Sequence, residues 1–138
     1  MKRFSIFLLF FASFFGACNR EDEAPAGYVY LYINTELITH QLQYPGSFNF
    51  FEYNHDGTPA GINGVGIYRA NNETFYAYEC TCPIDEQPLD IGDMTLKCTS
   101  CGSLFSILNG MGYEGKAEGR YLRQYKTYFD GRFLTVSN

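Results

Sequence analysis

The chain is 138 residues long and carries 15 acidic against 10 basic side chains, a formal net charge of −5. That length holds one domain of ordinary size and not two. An acidic surface with no basic stripe repels phosphate backbones, so nucleic acid is excluded as an expected partner.

At the N-terminus, Lys2-Arg3 precedes an apolar run from Phe4 to Phe15, followed by Gly16-Ala17-Cys18. A charged start, a short apolar stretch and small residues before a cleavage point are the parts of an export signal. The run is shorter than the roughly 20 apolar residues that cross a bilayer core. Phe15-Gly16-Ala17-Cys18 is similar to the lipobox of bacterial lipoproteins, with Phe15 where Leu is more usual. The resemblance implies a signal peptide over residues 1–17 and a lipid-modified Cys18, anchoring the chain to the outer membrane on its periplasmic or cell-surface side. More than one acyl chain on a single residue gives a stable anchor where one alone is marginal. Removing Lys2 and Arg3 takes the basic count from 10 to 8 against 15 acidic residues, a net charge near −7. Residues 18–26 are polar and charged after Cys18 and read as a flexible tether. Glu21-Asp22-Glu23 resembles the surface-export signals of some lipoproteins from the Bacteroidetes, and a plain solvated linker accounts for it equally well.

Residues 27–138 read as one all-β domain, a small antiparallel sandwich or barrel. Tyr28, Tyr30 and Tyr32 alternate with Val29, Leu31 and Ile33, a period of two that offers both faces for burial. Thr35 to Leu42 is compatible with a helical turn capped by Thr35, with Leu37, Ile38 and Leu42 inward. Strands are predicted at Phe48 to Tyr53, Val65 to Arg69, Thr74 to Tyr78, Leu104 to Leu108, Tyr121 to Phe129 and Phe133 to Val136. Asn63-Gly64, Asn71-Asn72, Asn109-Gly110 and Asp130-Gly131 supply the turns between them. The abundant Tyr and Phe suit such strands and are expected in the core without any ligand.

Four cysteines lie in two tight pairs, Cys80-Thr81-Cys82-Pro83 and Cys98-Thr99-Ser100-Cys101-Gly102. Thiols two and three positions apart, each pair followed by a turn-forming residue, are how two loops converge four soft donors on one metal centre. In an exported chain the same four can form disulfides, which would run across the loops because Cys80 and Cys82 are too near for relaxed geometry. Zinc held by four thiolates and thiol exchange by Cys98 and Cys101 are the other chemistries open to them. His40 and His55 lie far from the pairs in sequence and suggest no triad. The carboxylates Asp85-Glu86 between the pairs read as solvated.

The cysteine loops and their flanks, through Gly102-Ser103-Leu104-Phe105 and Gly115-Lys116-Ala117 to Asp130-Gly131-Arg132-Phe133, resemble the two-loop cluster site of Rieske proteins. That family reads Cys-x-His and Cys-x-x-His-Gly-Ser; here Cys82 and Cys101 stand at the histidine positions, and Cys80 and Cys98 at the cysteine positions. The resemblance implies a [2Fe-2S] cluster on Cys80, Cys82, Cys98 and Cys101, one-electron transfer and a redox partner protein. Two thiolates in place of two imidazoles make the cluster more negative, moving its potential from the Rieske range of about −150 to +300 mV toward roughly −400 mV. Ser103 matches a position whose hydroxyl bonds the cluster's sulfur. Lys116 replaces a proline of the covering loop and brings a cation toward the site. With no acid, base or open coordination position in the motif, neither an enzyme nor a small-molecule substrate is expected.

Overall fold

The computed structural model describes residues 24–138; the apolar run, Cys18 and all but the end of the tether fall outside the described residues. No helix among the described residues is long and apolar enough to cross a membrane. The domain is all-β, as the strand periodicity predicts, with antiparallel pairing throughout. One sheet has six strands: β1 (Tyr30–Asn34), β2 (Phe48–Phe51), β3 (Val65–Arg69), β4 (Phe75–Glu79), β9 (Gln124–Phe129) and β10 (Phe133–Ser137), ordered β1-β10-β9-β4-β3-β2. The other has four, β5 (Leu89–Ile91), β6 (Thr95–Cys98), β7 (Leu104–Ser106) and β8 (Gly112–Glu114), in chain order. β4 and β9 pair directly, Ala77 opposite Tyr125, so the small sheet is an insertion between neighbouring strands of the large one.

Two turns show why the chain reverses where it does. Asn71 Oδ1 accepts from the backbone N–H of Glu73 and Thr74 (2.9 and 2.8 Å), closing the β3–β4 hairpin. Asp130 Oδ1 accepts from Arg132 and Phe133 N–H (2.9 and 2.7 Å), closing β9–β10. Side-chain oxygens that satisfy backbone N–H groups two and three residues on are what make Asn and Asp turn formers.

Three sequence expectations are corrected. The helical turn is a single 3-10 turn, Ile38–His40, because Gln41 enters the left-handed region at φ 50 and the Thr35 hydroxyl donates across to Arg132 O (3.0 Å) instead of capping. Leu42 is buried as expected, but Leu37 and Ile38 are exposed. In the first strand only Val29, Leu31 and Ile33 enter the core; Tyr28, Tyr30 and Tyr32 point outward, with Tyr32 stacked on Phe133 at 4.9 Å. The aromatics as a class are thus split: Phe75, Tyr78, Phe105 and Tyr125 are buried, whereas several tyrosines coat the wet face an antiparallel sheet can leave open. Three short strands, β5, β6 and β8, were not predicted.

The apolar side chains form two clusters. The first, under the large sheet, gathers Val29, Leu31, Ile33, Leu42, Ile67, Phe75, Leu134 and Val136. Arg69 plugs its edge: its guanidinium donates to Leu42 O and Gln43 O (both 2.8 Å), Asn72 O (2.9 Å) and Asn71 O (3.2 Å), and lies 5.0 Å from the centre of the Phe75 ring. A lysine cannot fork to four carbonyls. We expect Arg69→Lys to lower the free energy of urea unfolding by about 2 kcal/mol, the scale of a lost pair of charge-assisted bonds.

The second cluster lies between β4 and the small sheet and holds Tyr78, Leu89, Leu96, Phe105, Ile107 and Ala117 together with Cys80, Cys82 and Cys98. The Tyr78 hydroxyl is buried there without a hydrogen-bond partner among the described residues. Deleting an unsatisfied hydroxyl removes a desolvation penalty. Tyr78→Phe should therefore raise the urea midpoint, by up to about 1 kcal/mol of stability, and a drop of that size would show that the hydroxyl has a partner.

Candidate metal centre

The cysteine pairs sit on two loops at one end of the small sheet. Cys80 follows β4 directly and Cys98 ends β6; Leu89 pairs with Cys98, and the Leu89 N–H bonds Cys80 O at 3.0 Å, which ties the two loops side by side. All four thiols are free.

The sulfurs of Cys82, Cys98 and Cys101 and a carboxylate oxygen of Asp85 lie within 4.8 Å of one another. Cys82 Sγ is 3.8 Å from Cys101 Sγ, and Cys98 Sγ is 3.8 Å from Asp85 Oδ2. Cys82 and Cys98 are buried, while Asp85 and Cys101 are partly exposed, so the group sits just beneath the surface. Cys80 is not in the group: its thiol, fully buried, faces the Tyr78 carbonyl (3.9 Å) and lies 3.2 Å from where a Cβ at Gly66 would stand. Asp85, read from sequence as solvated, is at the site.

Electrostatics separate the thiols. Burial pushes Cys80 up to about 12, aided by the neighbouring Glu79 carboxylate. Burial likewise raises Cys82 to about 12, against the opposing pull of the Asp85 and Ile84 N–H groups. At Cys98 burial also opposes ionisation, but the N–H groups of Cys101 and Ser100 and the thiols of Cys82 and Cys101 outweigh it, so its pKa falls below the ordinary value. Cys98 is thus more ready than Cys80 or Cys82 to ionise and meet a cation.

Neighbouring residues hold this arrangement. Ser103 Oγ, buried, accepts the Ala117 N–H (3.1 Å) and lies 3.1 Å from Cys101 Sγ, leaving its own proton free for that sulfur. Ala117 is brought there because Gly112 lets the 115–119 loop close in: a Cβ at Gly112 would run into the Ala117 carbonyl. Lys116, beside Ala117, is exposed.

Glu79 is a site-positioning residue that the motif did not reveal. Fully buried at the end of β4, its carboxylate accepts from Tyr125 Oη (2.6 Å), Ile62 N–H (2.8 Å), Thr81 Oγ1 (2.8 Å), Asn63 N–H (3.0 Å) and Gly27 N–H (3.3 Å). Asn63 Nδ2 also donates to Thr81 Oγ1 (2.8 Å). The residue between Cys80 and Cys82 is thereby pinned, and with it the exit of the chain into the first loop. Nothing in a lone Glu before a cysteine signals this.

Three thiols and a carboxylate around one point form a closed set of soft and hard donors, the kind that binds a transition metal tetrahedrally. Cys82 and Cys101, 3.8 Å apart, have the span of two thiolates on one metal ion; a [2Fe-2S] cluster sets the thiolates of its two irons farther apart than this, so Cys80 outside the group is compatible with it.

No protein-family model and no curated protein matches the chain. Among solved structures, a chain from the complex of reduced oxygenase and oxidized ferredoxin in carbazole 1,9a-dioxygenase is similar at 18% identity. The match covers 80% of this chain and 94% of that one, with a TM-score of 0.49. The ferredoxin of carbazole 1,9a-dioxygenase from Nocardioides aromaticivorans IC177 is similar at 19% identity over 83% and 98% of the two chains, with a TM-score of 0.46. The chemistry of the tip rests on its own side chains.

Proposed function

We propose that this protein is an exported, lipid-anchored Rieske-like module built around a metal centre at the tip of its small sheet, and that the centre passes single electrons to a partner protein when it holds iron. The observation that carries the reading is the convergence of Cys82, Cys98 and Cys101 with Asp85 within 4.8 Å, from two loops sixteen positions apart between Cys82 and Cys98. Sulfur ligation suits iron carriers, and a closed set without an open position suits electron transfer or a structural role rather than substrate chemistry. The Ser103 hydroxyl on Cys101 is placed as hydrogen bonds that tune sulfur-ligated iron are. Lys116, in the covering loop, would offset part of the negative charge. Anchoring through Cys18 follows from the lipobox-like sequence alone.

A second reading, a redox-silent zinc site that clamps the two loops, is favoured by the mutual closeness of the four donors. The experiment is metal analysis with reductive titration of the full-length protein, made with its own signal and extracted from membranes. Bound iron that takes up one electron reversibly supports the carrier; zinc with no redox response supports the clamp. Metal-free, colourless protein with cysteines oxidised would end both.

A further inference from the structure

The two loops are built alike. In Cys82-Pro83-Ile84-Asp85-Glu86, the Glu86 N–H bonds Cys82 O at 2.9 Å; in Cys98-Thr99-Ser100-Cys101-Gly102, the Gly102 N–H bonds Cys98 O at 3.1 Å. The fifth residue is left-handed in both, Glu86 at φ 54 and Gly102 at φ 72. Asp85 therefore stands to Cys82 as Cys101 stands to Cys98.

The distances point the same way. A tetrahedral ion with metal–sulfur bonds of about 2.3 Å separates its sulfurs by about 3.8 Å. Cys82 Sγ and Cys101 Sγ are 3.8 Å apart, and Cys98 Sγ lies 3.8 Å from Asp85 Oδ2, slightly beyond the roughly 3.5 Å between a sulfur and an oxygen on one ion. Cys80, matched by the Rieske resemblance to a cysteine ligand, is turned toward Gly66 and the Tyr78 carbonyl instead.

We propose that the tip binds one divalent transition-metal ion through Cys82, Asp85, Cys98 and Cys101, with Cys80 outside the coordination sphere. This rests on the reading of the tip as a metal centre and specifies its ligands. Three thiolates select zinc, cobalt or ferrous iron over magnesium or calcium.

The test uses full-length protein extracted from membranes, reduced, stripped of metal and titrated with Co²⁺ in competition with a chelator. Wild type should take up one Co²⁺ with absorption of a three-thiolate tetrahedral site. Asp85→Ala should weaken binding at least about 100-fold, more than losing an outer-shell partner does. Asp85→Cys should retain binding with a stronger sulfur-to-cobalt absorption, and Cys80→Ala should leave affinity and spectrum unchanged. Loss of binding in Cys80→Ala with none in Asp85→Ala overturns the ligand set while the tip remains a metal centre. Should Cys80→Ala fail to fold, the wild-type spectrum and its response to Asp85→Cys decide: a four-thiolate spectrum in wild type, or no change on Asp85→Cys, overturns the proposal. Wild type that takes up no Co²⁺ overturns the ligand set and the reading beneath it together.

Discussion

Replacing Glu79 by alanine should cost roughly 3–5 kcal/mol of folding stability, the scale seen when one side of a buried charged network is removed. Its carboxylate is fully buried and takes hydrogen bonds from five donors on four separate stretches of chain: Gly27 before β1, Ile62 and Asn63 before β3, Thr81 in the first metal loop and Tyr125 on β9. Alanine leaves those donors unpaired in the interior, which is worse than never having had them there. Burial and then the Glu79 carboxylate push the Tyr125 phenol up, so it stays a donor at every working pH. Glu79→Gln keeps the shape but presents N–H to groups that are themselves donors, and should recover less than half of the loss. Urea unfolding followed by tyrosine fluorescence measures both, and a loss under 1 kcal/mol for Glu79→Ala would contradict the role assigned here. Because Thr81 is released too, the variant should also bind metal more weakly than its stability alone accounts for.

The second large effect concerns Cys98. Burial opposes its ionisation, but the N–H groups of Cys101 and Ser100 hold its pKa below the ordinary thiol value, so its removal takes away a ligand that ionises more readily than Cys82. Metal that binds only the folded chain stabilises it by mass action, about 4 kcal/mol when free metal exceeds the dissociation constant a thousandfold. We therefore expect thermal unfolding of wild type to fall sharply when a strong chelator is added, and Cys98→Ala to unfold at the chelated wild-type temperature with or without it. A wild type indifferent to chelator would remove metal as a source of stability.

How far the sequence carried these conclusions depends on the residue. β3 was legible to the residue, because Val65–Arg69 ends at an Asn-Asn turn whose chemistry is local. β5, β6 and β8 are three or four residues long and mix Asp90, Lys97 and Glu114 among apolar positions, which is too short for a period of two to stand out. The outward tyrosines of the first strand could not be separated from inward ones by alternation alone, since both faces read as apolar. At the tip, the motif named Cys80, Cys82, Cys98, Cys101, Ser103 and Lys116; the fold brings Cys82, Cys98, Cys101 and Ser103 together, with Cys80 outside the group and Lys116 exposed. Counting cysteines missed Asp85, because a carboxylate in a charged loop looks the same whether it is solvated or turned toward three thiols. The repeat of Cys-x-x-Asp and Cys-x-x-Cys was the signal available, and the denser Cys-x-Cys pair concealed it.

Native mass spectrometry of the full-length protein, extracted from the membranes of cells that exported it, measures directly whether the two loops close on a metal. The expected result is the mass of one transition-metal ion per chain, displacing protons from the ligands. A chain lighter than its reduced sequence by the hydrogens of a disulfide, with no metal mass, would contradict it.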